Sequence, residues 1–111
     1  KKVGDVTLLA AQVNASGMDA LRGVADELKA KLGSAVLALG AVDGDKVNLV
    51  VAVTNDLVGK GLHAGKLIKE IAAICGGGGG GKPELAQAGG KDPSKLAEAL
   101  AAAERLVSAQ G

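Results

Sequence analysis

The chain has 111 residues, a formal net charge of +1 and 48% hydrophobic residues, yet no Phe, Trp or Tyr. Such a length suits one domain, residues 1–111, with a core of Val, Leu, Ile and Ala, and the lack of aromatic rings excludes the stacking platforms on which single-stranded nucleic acids are held. A lone cysteine and a lone histidine exclude an internal disulfide and a tetrahedral zinc site, and no segment reaches the ~18–20 apolar residues of a membrane span.

No signal-peptide pattern opens the chain, so a reduced, cytoplasmic setting is expected. The start at Lys1, without methionine, reads as a piece of a longer protein.

Residues Val6 to Val13 form a short apolar run that predicts a buried strand, and Asn14 to Gly17 a turn. Leu21, Val24, Leu28 and Leu32 then recur at helical spacing, with Asp19 at the start and Gly33 at the end. A second strand is predicted at Ala35 to Val42 and a third at Val47 to Val53. The Asp43-Gly44-Asp45 turn signal between them predicts a hairpin. Asp43 and Asp45 are placed in solvent at its tip.

Thr54-Asn55-Asp56 ends the third strand. A second helix begins near Ala64, with Leu67, Ile68, Ile71 and Ile74 on one face, and stops at Gly76. His63 falls near its start and Cys75 at its end as a small buried residue. After the glycines, Leu85 to Ala88 is compatible with a short strand. Asp92-Pro93 is a helix-start signal for an alanine-rich helix over 94–109, with Leu96, Leu100, Ala103 and Val107 on one stripe. The order β-α-β-β-α-(glycine-rich loop or short β)-α predicts an α/β domain, a two-layer sandwich of a mixed sheet with helices packed on it.

Gly76 to Gly81 is an unbroken run of six glycines. Each loses more backbone entropy on ordering than any other residue would. The run lies between two helical patterns, so it is not a tail. Its position implies that another backbone, a phosphate or a ribose comes very close. Gly76 and Gly81-Lys82 fit the frame of a phosphate-binding P-loop, but Pro83 stands where the Mg²⁺-binding hydroxyl belongs, and the run follows a helix instead of a strand. A dinucleotide fingerprint fails on the same context.

Charge gathers around this run. Residues 60–95 hold Lys60, Lys66, Lys69, Lys82, Lys91 and Lys95 against Glu70, Glu84 and Asp92, a balance of +3 in a chain of +1. An anion could use that charge, although interspersed lysines also make an ordinary solvated surface. Gln87 and Lys91 adjoin glycines that leave backbone N–H groups free to point outward, which suits a phosphate or ribose. Equally, Gln87 could cap backbone in a tight glycine turn. The candidate contact set is Lys60, Lys66, Gly77, Gly78, Gly79, Gly80, Gly81, Lys82, Gln87, Gly89, Gly90 and Lys91. No catalytic and no metal-ligating residue is expected.

The stretch GGGGGGKPELAQAGG over 76–90 closely resembles a signature near the C-terminus of alanyl-tRNA synthetases. Gly61 to Ile68 is similar to the segment that precedes it in that family, and Asp92-Pro93-Ser94-Lys95-Leu96 matches as well. The resemblance covers essentially the whole chain. It implies a non-catalytic C-terminal globular subdomain, of the DHH-associated family, that binds the outer corner of alanine-accepting tRNA and couples aminoacylation with editing. ATP, Mg and Zn would serve other domains of the parent ligase, and this piece would hold no cofactor and be inactive alone. Other domains of the same synthetase, and a second copy in a homodimer, are further implied partners. A related domain in DHH-family phosphoesterases carries His after its glycines, where this chain has Lys82-Pro83. A structural or dimerisation module and the nucleic-acid-binding half of such a phosphoesterase are the alternatives.

Overall fold

The computed structural model describes residues 2–4 and 6–110, with Gln110 by its backbone alone. Among them six strands form one mixed sheet in the order β1-β2-β3-β4-β6-β5. β1 (Lys2–Val3) folds back antiparallel on β2 (Val6–Gln12). α1 (Met18–Leu32) crosses over to β3 (Val36–Asp43), which runs parallel to β2. β3 and β4 (Lys46–Val53) make the expected hairpin. A single turn, α2 (Asn55–Val58), leads to α3 (Ala64–Ile74). β5 (Gly78–Gly81) and β6 (Leu85–Gly90) follow, and a 3₁₀ turn at Pro93–Lys95 opens α4 (Leu96–Gln110).

Local chemistry sets the helix ends. α1 is framed by Gly17 at φ 94° and Gly33 at φ 74°, with Asp19 in its first turn and Lys29 and Lys31 in its last, which suits the helix dipole. The His63 imidazole caps α3 by accepting the Lys66 N–H at 3.2 Å. Asp92 accepts the Ser94 N–H at 3.1 Å ahead of α4, and Pro93 takes the first turn, where no N–H is needed.

The α/β class with a mixed sheet and packed helices holds, with helices on both faces, so there are three layers instead of the two expected. α1 packs Leu21 and Ala25 on Leu37, Leu39, Ala41, Val50 and Ala52. On the opposite face, α3 and α4 pack Leu67, Ile68, Ile71, Leu96, Ala99 and Ala103 on Val36, Ala38, Val47, Leu49 and Val51. Each fully buried Leu, Ile or Val among these contributes roughly 1.5–3 kcal/mol over its exposed state. α2 and β1 escape the sequence pattern because one turn and two residues carry no readable period.

The glycine run departs most from expectation: instead of a loop it is the edge strand of the sheet. β5 pairs antiparallel with β6, Gly78 opposite Gly89 and Gly81 opposite Ala86. The two strands lie so close that alternate positions have no room for a side chain. A Cβ on Gly77 would lie 1.8 Å from the Gly89 carbonyl oxygen, on Gly79 2.3 Å from that of Gln87, and on Gly81 2.6 Å from that of Leu85. At Gly78 a Cβ would meet nothing within 4 Å, and at Gly80 only the Lys69 side chain at 4.0 Å.

α3 also rests directly on glycine at both ends. A Cβ on Gly65 would sit 2.8 Å from the Gly81 carbonyl oxygen, and one on Gly90 2.6 Å from the Cys75 Cβ. The last carbonyls of α3 are taken up by the strands: Ala72 O accepts from Gly77 N at 2.9 Å, and Cys75 O from Lys91 N at 2.9 Å and Asp92 N at 3.0 Å. Cys75 is fully buried there. Burial pushes its thiol above the ordinary 9.0, with Asp92 and Glu98 adding to the effect.

Two outcomes are expected. Gly79→Ala, which drives a methyl into the β6 backbone, lowers stability by about 1–3 kcal/mol, whereas Gly78→Ala is neutral or slightly stabilising because it only restricts the unfolded chain; thermal unfolding of the two variants decides this. The buried, high-pKa Cys75 thiol resists a maleimide in the native protein and reacts once denaturant unfolds it, as mass spectrometry of the adduct would register.

Candidate nucleic-acid interface

α1 packs over β3 and β4 and, apart from half-buried Leu85 at the start of β6, leaves β6 and β5 uncovered on its side of the sheet. The alternation of the strands determines what that bare strip displays. Ala86 and Ala88 point into the α3/α4 core. Gln87 and Gly89, one step off, face the other way and are exposed, and half-buried Asn48 of β4, paired with Gly89, joins them.

Two shallow depressions lie on this strip. One is lined by Arg22 of α1, Gly80, Gly81, Lys82, Leu85, Ala86 and Gln87. The other is lined by Lys46, Val47, Asn48, Gly77, Gly78, Gly89, Gly90 and Lys91. Each therefore offers two cations and one amide over a floor dominated by glycine and small residues. Among the described residues no carboxylate lines either one. Arg22, Lys46, Lys82, Gln87 and Lys91 are all exposed. The two ends are separated by the length of β6, ~15–20 Å for six extended residues.

The structure thus gathers most of the predicted set: Gly77, Gly78, Gly80, Gly81, Lys82, Gln87, Gly89, Gly90 and Lys91 line the two depressions, and Gly79 lies between them in β5. Lys60 and Lys66 lie elsewhere. Lys60 lines a depression with Val3, Val6 and Val107, toward the β1–β2 edge. Lys66 lies between α3 and α4 with Glu70 and Leu106, on the far side of the sheet.

The glycine N–H groups divide: Gly77 N bonds to Ala72 O, whereas β5, as the edge strand, pairs with β6 on one side only, so alternate glycine N–H groups of the strand face away from the ladder. Gln87 caps no glycine turn; it stands on a strand with an exposed side chain. Arg22, Lys46 and Asn48 were outside the predicted set. Their signal is spatial: α1 and the β3–β4 hairpin reach the glycine strands only once the sheet is assembled.

Among the described residues no three of His, Cys, Asp and Glu come together as metal ligands. No described helix is long and apolar enough to cross a membrane.

Residues 5–109 match the DHHA1 domain family. The chain is 64% identical over 107 residues to an alanine–tRNA ligase of Bacillus subtilis, covering 96% of the chain and 12% of that protein. Against the alanine–tRNA ligase of Geobacillus kaustophilus it is 61% identical over 107 residues, with the same 96% and 12% covered. The chain thus spans about an eighth of the length of these relatives. The crystal structure of the C-Ala domain from Aquifex aeolicus alanyl-tRNA synthetase superposes with a TM-score of 0.88 at 34% identity, covering 97% of this chain and 96% of that one. The chain belongs to the DHHA1 domain family, in the form that alanyl-tRNA synthetases carry at their C-terminal end.

Proposed function

We propose that this domain is the non-catalytic tRNA-binding module of an alanine–tRNA ligase, and that the uncovered strip of β6 and β5 is the surface that receives tRNA. The observation that carries this reading is the pairing of an open sheet face with four cations and no lining carboxylate. A folded RNA presents phosphates and sugars first, and cations at both ends of a flat face can meet them without aromatic rings. Contact with the outer corner of tRNA, and through it the coupling of aminoacylation to editing, belongs to the same proposal. ATP, Mg and Zn are assigned to other domains of the ligase, as is the chemistry, and those domains are further partners.

The packing role of the glycines, which the sequence left as an alternative, is compatible with this reading. Gly77, Gly79 and Gly81 are required by the fold, whereas Gly78 and Gly80 leave the backbone open to a ligand. A phosphoesterase role has no comparable support, since Lys82-Pro83 follows the run and the curated relatives cited are ligases.

The test is the salt dependence of binding between this domain and an alanine-accepting tRNA, with a second tRNA alongside. Four phosphate contacts give a slope of log affinity on log salt of about −3 to −4, similar for both tRNAs. Lys82→Ala and Lys91→Ala each flatten it by about 1, while Lys60→Ala and Lys66→Ala, off the face, leave it unchanged. Absence of binding at low salt, or a slope indifferent to the Lys82 and Lys91 changes, overturns the assignment.

A further inference from the structure

Each depression contains one uncharged polar side chain, Gln87 in one and Asn48 in the other. The two belong to the same face: Asn48 pairs with Gly89, two residues from Gln87 along β6. That makes them diagonal neighbours with Cα atoms roughly 7–8 Å apart, close enough for one short stretch of ligand to reach both. Neither amide has a hydrogen-bond partner among the described residues. An amide carries donors and an acceptor together, so it suits a group that can both donate and accept a hydrogen bond.

Phosphate is not that group, because it only accepts, and each depression already holds two cations for it. Base edges fit poorly as well. The deep, narrow major groove of A-form RNA does not admit side chains, and a chain without aromatic residues has no ring on which to hold a splayed base. In the wide, shallow minor groove the base edges share the surface with 2′-hydroxyls, which every nucleotide presents whatever its sequence. What remains next to a phosphate on an RNA strand is the ribose 2′-hydroxyl, which donates and accepts. We infer that Asn48 and Gln87 read ribose 2′-hydroxyls and make the face select RNA over DNA of the same sequence. This rests on the reading of the strip as the tRNA surface and adds to it the chemical group that the amides recognise.

The test uses an alanine-accepting tRNA transcript and an all-deoxy strand of identical sequence, bound by the wild-type domain, by the double variant Asn48→Ala/Gln87→Ala and by Lys82→Ala. The wild type favours RNA by about tenfold, the effect of two ordinary hydrogen bonds. The double variant loses most of that preference while keeping its salt slope and its melting temperature. Lys82→Ala weakens both ligands alike, since phosphate is common to them. A preference that survives the double substitution would arise from helix shape and would overturn the inference, as would a wild type that binds both strands equally. In either case tRNA binding itself would leave the proposed function standing, whereas a domain that binds no tRNA removes both.

Discussion

The contact between α3 and bare backbone governs the far half of this domain. At one end the helix meets Gly81 across Gly65, and at the other it meets Gly90 across Cys75, with no side chain able to fit between. Elsewhere in the core, helix and sheet are separated by interdigitated Leu, Ile and Val. Here the close approach removes that layer, and dispersion between many touching atoms takes its place. The helix carbonyls that would otherwise be orphaned are satisfied by Gly77, Lys91 and Asp92 as the chain enters β5 and leaves β6. Edge strand, helix end and the start of the next helix are thereby tied at one point. A flexible polyglycine segment, which loses most entropy on ordering, is held in a strand by contacts that only glycine permits.

This explains what was legible in the sequence and what was not. Segments with a clear period were placed within a residue or two: α1 from Leu21, Val24 and Leu28, the β3–β4 hairpin from its Asp-Gly turn, α3 from Leu67, Ile68 and Ile71, and α4 from Asp92-Pro93. Glycine has no side chain, so a strand of four glycines carries neither alternation nor β propensity, and β5 could only be read as a loop. The need for close approach was readable from the run. Its target was not, since the position of Gln87 or Ala88 opposite Gly80 or Gly79 is a product of register. The layering was likewise out of reach: Leu37 and Ala38 look alike in a strand buried on both faces, and only the assembled sheet sends one toward α1 and the other toward α4.

The candidate face follows the same division. Lysines in the glycine segment were visible because they are neighbours in sequence. Lys60 and Lys66 belong to the same lysine-rich stretch of sequence, and the fold carries them to other surfaces. Arg22, about sixty residues before Lys82, was invisible because only the crossing of α1 over the sheet brings it to Gly80 and Gly81. Net charge was a poor guide in the same way. A chain of +1 can still present four cations on one strip, since among the described residues no carboxylate lines its two depressions, and it is this local field that a polyanion would meet.

Rigidity decides how such a face can be used. Its floor is backbone locked into a ladder and pinned by α3, so it has little freedom to lose when a ligand arrives, and only the ends of Arg22, Lys46, Lys82, Lys91 and the two amides need to be ordered. That keeps the ordering cost of binding small, but a flat strip with a handful of exposed cations also supplies little affinity by itself, and salt weakens it further. A surface of this kind is effective when its ligand is already held by another domain of the same molecule. The second contact then becomes intramolecular, and even a weak one adds strongly to the whole. A preformed, side-chain-poor platform that is weak alone and productive when tethered is what the physics of this face supports, and it suits a domain that makes up about an eighth of its relatives.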